Sequence, residues 1–157
     1  MFIRLIAGFS LALVALASEA RAATVSCGGS DVMVTLTTSP TAGTCNAIGN
    51  GNSLNGNGSD PVNQAGYLTL DTTSTAGLVP LTITLGNSGT FSFVASALYT
   101  DYVLGIQTSL GSIKPDYFAF NLPTGIVSGS YLISHSGTFA TEAVLYGHAA
   151  APAGGAT

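Results

Sequence analysis

Short runs in which apolar residues alternate with hydroxyl residues recur along the chain, and Gly, Asn, Ser or Pro separates them. In residues 81–85 the aliphatic Leu81, Ile83 and Leu85 alternate with two threonines. Successive side chains of a β-strand point to opposite faces, so this run predicts a strand whose three aliphatic side chains face inward. Further strands are predicted at 32–37, 67–70, 90–98, 102–107, 116–122, 130–134 and 143–146. We therefore expect an all-β fold, an antiparallel β-sandwich or a jelly-roll-like single domain.

Two intervening segments are predicted as a turn and a loop. Residues 86–89 favour a hairpin turn that brings Phe91 and Phe93 to the inward face. Residues 46–63 are rich in Asn, Gly and Ser and have no apolar rhythm, which predicts a long loop. Oxygen-bearing side chains alternate there as they do in calcium loops, but Asp60 is the sole carboxylate of the segment. We therefore predict no metal site in this loop.

The N-terminal residues have the features of a cleavable export signal. Arg4 precedes the apolar stretch 5–17, which is shorter than the roughly 20 residues that span a bilayer. Small residues follow, and they predict cleavage after Ala22 or, as the near alternative, after Ala20. The chain is thus divided into a signal peptide at 1–22, which we expect to be helical, and a mature region without a membrane span.

The mature region is almost uncharged. Residues 23–148 are expected to form the β-sandwich-like domain, and residues 149–157 a flexible Ala/Gly tail. Lys114 is its single Lys or Arg residue. Because binding of phosphates takes several Lys or Arg residues, this composition predicts that nucleic acid is not a partner. The acidic residues are Asp31, Asp60, Asp71, Asp101, Asp116 and Glu142.

Two cysteines, Cys27 and Cys45, remain after signal cleavage. An even number of cysteines in an exported chain predicts a disulfide. Zinc sites use four ligands in tighter pairs, so two isolated thiols do not favour a metal. We expect the disulfide to link the first mature strand to the start of the Asn/Gly loop.

The sequence does not indicate catalytic chemistry. It has no Gly-x-Ser-x-Gly elbow, and neither His135 nor His148 has a companion motif for a metal or a triad. We therefore predict no enzyme, no cofactor and no metal. Tyr99, Asp101 and Tyr102 place two aromatic rings beside a carboxylate, which makes them candidate glycan contacts, although core packing is the competing interpretation.

Four segments resemble the C-terminal half of PEP-CTERM proteins, which are sorted by exosortase. They are residues 102–107, 118–122, 128–131 and 143–147. Gln107, Tyr131 and Glu142 differ from the residues usual in that family. No Val-Pro-Glu-Pro motif follows Tyr146, so the resemblance does not extend to the sorting signal. It implies a role at the cell surface or in the extracellular matrix.

These observations lead to two functional expectations. The first is an exported, non-enzymatic structural protein, secreted or at the cell surface, of the kind found in a biofilm matrix. Its expected partners are further copies of itself or extracellular polysaccharide, since low charge and strand edges favour association. The alternative is a secreted glycan-binding β-sandwich module.

Overall fold

The computed structural model describes residues 21–29, 31–50, 54, 60–108 and 114–151. Residues 1–20 of the predicted signal peptide and residues 152–157 of the predicted tail lie outside the described residues. No helix in the described part has the length and apolar character needed to cross a membrane. The described elements are β1 (Ala23–Gly28), β2 (Met33–Thr38), β3 (Thr44–Gly49), α1 (Pro61–Gln64), β4 (Leu68–Thr72), β5 (Leu81–Ile83), β6 (Ser88–Phe93), β7 (Tyr99–Thr108), β8 (Tyr117–Asn121), β9 (Ser128–Ile133) and β10 (Ala140–Ala149).

The strands form two five-stranded antiparallel sheets that pack against each other. Sheet I has the order β1-β2-β9-β6-β5, and sheet II has the order β3-β8-β7-β10-β4. Large side chains from both sheets meet in the core between them, among them Leu36, Phe91, Leu104, Phe118 and Leu145. The predicted all-β sandwich is confirmed.

Sheet I has one buried face and one face in solvent, as its alternating sequence predicts. In β6, Phe91 and Phe93 are buried while Thr90 and Ser92 are exposed. The five strands of this sheet contain no charged residue. The outward side chains, which are mostly Ser and Thr and include the exposed Met33 and Leu132, form a surface that we call the hydroxyl face. Its Ser and Thr residues are Thr24, Ser26, Thr35, Thr37, Thr82, Ser88, Thr90, Ser92, Ser128 and Ser130.

Sheet II is buried on both faces, which explains why its central strands are continuously apolar rather than alternating. In β10, Leu145 faces the core between the sheets, whereas Val144 and Tyr146 face the opposite side. There they pack beneath a segment that we call the cover, which consists of Leu54 and residues 60–67. Val62 of α1 and Leu54 are both fully buried in this second cluster.

The structure corrects several details of the sequence interpretation. The strand predicted at 90–98 ends at Phe93, where its pairing with β5 ends. Leu85 lies beyond the end of β5 and is 39% exposed, because the strand pairs with β6 only as far as Ile83. Leu81 and Ile83 are partly buried and pack against the core, as predicted. The predicted loop 46–63 begins as a strand, since β3 pairs with β8 through Gly49, and its last residues belong to α1. Residues 51–53 and 55–59 of that loop, which include most of the calcium-loop pattern, lie outside the described residues.

The predicted disulfide joins the two sheets at one edge of the sandwich. Cys27 of β1 and Cys45 of β3 are bonded, with their Cα atoms 5.3 Å apart. Both strands are edge strands, one in each sheet. At the other edge, the buried carboxylate of Asp71 in β4 accepts hydrogen bonds from the backbone N–H of Gly77 at 2.6 Å and of Leu81 at 2.5 Å. Each edge of the sandwich is therefore closed by a specific link.

Candidate binding cleft

A β-bulge in β7 shapes the most distinctive part of the surface. The pairing of β7 with β10 shifts by one residue between Tyr146 and His148. Two residues of β7, Asp101 and Tyr102, therefore lie opposite the single residue Gly147. Asp101 has a φ of 52°, in the left-handed region that L residues rarely adopt. Bulges of this kind re-aim side chains and are frequent beside functional sites.

Two cavities adjoin the bulge, and together they form the region that we call the cleft. The larger has a volume of about 320 Å³ and is lined by Tyr99, Asp101 and Tyr102, the three residues that the sequence singled out. The smaller has a volume of about 220 Å³ and is lined in part by Tyr67 and His148. Both cavities are bounded by Asp101, Tyr102 and Leu122.

Tyr102 and Tyr99 are both anchored to the fold. The ring of Tyr102 packs against Phe93 with centroids 4.8 Å apart. Its hydroxyl accepts a hydrogen bond from the backbone N–H of Ser96 at 2.8 Å and donates one to the carbonyl of the same residue at 3.1 Å. Tyr99 is half-buried and packs against the main core. These contacts give the cleft a rigid wall, and direct contact of either ring with a glycan stays a prediction.

Asp101 is the accessible charged group of the cleft. Its side chain is 67% exposed, and His148 Nδ1 lies 3.5 Å from its Oδ2 atom. The hydroxyl of Thr100 donates a hydrogen bond to the same oxygen at 3.1 Å. The carboxylate can therefore pair with a protonated histidine or accept hydrogen bonds from a ligand.

Tyr67 and His148 form a stacked pair on the far side of the bulge. Their ring centroids are 3.8 Å apart and their planes differ by 20°. Asn63 Nδ2 donates a hydrogen bond to the Tyr67 carbonyl at 2.9 Å, and Gly66 turns the chain with a φ of 96°. The sequence interpretation missed this pair. The two-residue period of β10 puts His148 on the same face as Tyr146, but nothing local shows that Tyr67 covers it.

A buried carboxylate fixes the cover that carries Tyr67. Asp60 is 1% exposed and caps α1, accepting a hydrogen bond from the Val62 N–H at 2.8 Å. Tyr146 donates its hydroxyl hydrogen to the other oxygen of Asp60. Burial, followed by the hydrogen bond to Asp60 and the charge of that carboxylate, holds the pKa of Tyr146 well above its ordinary value. The pair therefore locks the cover to sheet II.

The two histidines belong to different surroundings. His135 Nδ1 hydrogen-bonds the Thr138 hydroxyl at 3.0 Å before β10 begins, whereas His148 lies near the end of that strand. Within the described ranges, no group of three His, Cys, Asp or Glu side chains is arranged to hold a metal ion.

No protein-family model, curated protein or solved structure matches this chain, so the proposals below are argued from its own geometry.

Proposed function

We propose that this chain is an exported, non-enzymatic structural protein of the cell surface or the extracellular matrix. The disulfide between Cys27 and Cys45 carries the proposal. Disulfides form and persist in oxidising compartments outside the cytosol, and this one joins the two sheets at an otherwise open edge. The N-terminal sequence, with its short apolar stretch ahead of small residues, supports the same route of export.

The hydroxyl face supports a structural role in a hydrated matrix. It spans sheet I without a charged side chain, and Thr24, Thr37, Ser130 and Thr90 lie side by side across four strands. Such a surface exchanges hydrogen bonds with water or with polysaccharide hydroxyls. It offers no group that would select nucleic acid or an anionic membrane.

Fractionation of the producing cells tests this proposal. We expect the mature chain in the cell-surface or matrix fraction, with both cysteines resistant to thiol labelling before reduction. A matched Cys27→Ala/Cys45→Ala variant reports whether the disulfide is needed for accumulation outside the cell. Recovery of the chain solely as a freely diffusing monomer in the culture medium would contradict a structural role.

The cleft favours a second function, binding of a glycan. Sugar sites combine a flat aromatic wall with a few fixed polar groups. Here the Tyr67–His148 stack lies beside Asp101, and Tyr102 is held by two hydrogen bonds to Ser96. The supporting observation is the bulge, because it places an exposed carboxylate between two cavities.

A glycan array read with matched variants tests the second function. We expect hits for the wild-type chain that are lost in Asp101→Gly and in Tyr67→Ala. Asp31→Asn is the control, because it removes an exposed acid in the β1–β2 turn of sheet I. An array without hits, or hits that persist in both cleft variants, would rule out this cleft as a glycan site.

A further inference from the structure

We infer that the cleft binds two consecutive sugar residues of an amine-bearing polysaccharide and that a ligand ammonium group pairs with Asp101. This inference rests on the proposed glycan-binding function and specifies its ligand class. Its basis is the shared wall of the two cavities, the charge around them and the conformation of Asp101.

The two cavities fit neighbouring units of one chain. They have volumes of about 320 and 220 Å³ and meet at Asp101, Tyr102 and Leu122. Pockets for small ligands measure about 300–1,000 Å³, so the combined space suits more than one ring. A polymer that places one ring in each cavity passes directly over Asp101.

The charge of this surface selects against acidic sugars and in favour of basic ones. Asp101 carries the negative charge that the cleft presents, and its side chain is 67% exposed. Lys114 is the only Lys or Arg after residue 22, and its Nζ atom lies 2.5 Å from Oδ2 of Asp116. Asp116 accepts a backbone hydrogen bond from Thr108, at the opposite end of β7 from Asp101. Lys114 therefore does not offset the charge of Asp101. The basic neighbour of Asp101 among the described residues is His148, 3.5 Å away, and a ligand ammonium group that takes over this contact gains a charge-assisted hydrogen bond.

The backbone conformation of Asp101, with its positive φ, supports a role for the carboxylate in ligand binding rather than in stabilising the fold. A positive φ is unfavourable for L residues, even though Asp tolerates it better than most of them, and glycine adopts it freely. Thr100 and His148 contact the Asp101 carboxylate, and the side chain of Asp101 is largely in solvent. Strained residues of this kind concentrate at binding sites.

Calorimetric titration with three matched oligosaccharides tests the inference. The probes are tetramers of β-1,4-linked glucosamine, N-acetylglucosamine and mannuronic acid, which share the β-1,4 linkage and carry ammonium, amide or carboxylate groups. We expect the glucosamine tetramer to bind and the other two to bind at least about tenfold more weakly, the loss expected for one charge-assisted hydrogen bond. Added salt should weaken binding of the glucosamine tetramer.

Variants locate the interaction. Asp101→Asn should weaken binding of glucosamine by about tenfold or more, because it removes the charge and keeps the shape. Asp31→Asn removes a charge elsewhere and should leave binding unchanged. Near-ultraviolet circular dichroism confirms that both variants are folded. Equal weakening in the two variants would mean that net charge, not the cleft, attracts the ligand, and would overturn the inference.

The remaining outcomes separate this inference from the function on which it rests. Equal binding of the glucosamine and N-acetylglucosamine tetramers refutes selection for an amine and leaves glycan binding in place. If the glucosamine tetramer does not bind but the array gives hits that depend on the cleft, selection for an amine is likewise refuted and glycan binding stays in place. Failure of all three tetramers together with an empty array refutes both.

Discussion

The conformation and exposure of Asp101 depend on residues that are distant in sequence and close in space. Its position between two tyrosines is visible in the sequence, but its positive φ is not, because the bulge depends on how β10 pairs with β7. Gly147 faces the bulge, and a Cβ atom there would lie 2.9 Å from Leu70 Cδ1. A one-residue shift of register therefore turns an ordinary aspartate into the exposed corner of a cleft.

Replacement of Asp101 by glycine should separate stability from binding. We expect Asp101→Gly to leave the free energy of unfolding unchanged or to raise it by up to about 1 kcal/mol, because glycine relieves the positive φ. The neighbouring Thr100→Gly is the control and should lower stability by about 0.5–1 kcal/mol, as glycine does within a strand. Urea denaturation measures both values. A loss in Asp101→Gly as large as that in Thr100→Gly would show that the conformation is not strained.

The Tyr146–Asp60 pair should make the native state sensitive to alkali. In an unfolded chain tyrosine loses its proton near pH 10, whereas the raised pKa keeps native Tyr146 protonated at higher pH. The native state then binds more protons than the unfolded state, so stability falls as pH rises above about 10. One such group contributes a slope of up to about 1.4 kcal/mol per pH unit.

Tyr146→Phe tests this linkage through denaturation curves at a series of alkaline pH values. At neutral pH the variant should lose about 1–3 kcal/mol, because buried Asp60 loses a hydrogen-bond donor. Above pH 10 its stability should decline less steeply than that of the wild-type chain. Parallel pH dependences would show that Tyr146 does not carry the effect.

At the scale of elements, the two sheets differ in how well their sequences predicted them. Apolar and hydroxyl residues alternate along the strands of sheet I because one face of the sheet is exposed to solvent. The predicted hairpin with Phe91 and Phe93 facing inward is confirmed. Strand β3 was missed because it is an edge strand whose residues are mostly exposed, so it has no apolar rhythm. The burial of Leu54 could not be predicted from the sequence either. Its environment is the outer face of sheet II, where an added Cβ at Gly105 would lie 3.0 Å from the Leu54 side chain.

The β5–β6 hairpin offers a graded test of burial. Phe91→Ala should cost about 3–5 kcal/mol, since Phe91 is 2% exposed. Ile83→Ala should cost about 1–2 kcal/mol, below the range for a fully buried site, because Ile83 is half-buried. Thr82→Ala, on the exposed side of the same strand, should change stability by less than about 0.5 kcal/mol. Thermal unfolding of the three variants checks the order, and an equal cost for Ile83→Ala and Thr82→Ala would contradict the observed register.

At the scale of the whole molecule, different chemistry closes the two sides of the sandwich. A covalent bond joins β1 to β3, whereas hydrogen bonds from Gly77 and Leu81 to Asp71 tie β4 to the segment that follows it and to the start of β5. The cysteine count predicted the first link. The second could not be read from the sequence, because Asp71 looks like any acid until the chain after it folds back.

Loss of the disulfide should destabilise the sandwich substantially. The cysteines are 18 residues apart in sequence, and closing a loop of this length contributes about 3 kcal/mol on the chain-entropy model. Unfolding of the wild-type chain with and without reductant, compared with the Cys27→Ala/Cys45→Ala variant, measures this contribution. Reductant should have no effect on the variant, and an unchanged midpoint for the reduced wild type would contradict the expectation.

The hydroxyl face affects how the hydration of the protein depends on the ionic strength of the medium. Charged surfaces keep proteins dispersed by repulsion, which falls away as the ionic strength of the medium rises. Most outward side chains of sheet I are Ser and Thr, with Met33 and Leu132 exposed among them, and none is charged. Such a face is hydrated by hydrogen bonds to its hydroxyl groups, which dissolved ions barely screen. The hydration of this face should therefore be nearly the same in fresh water and in brine.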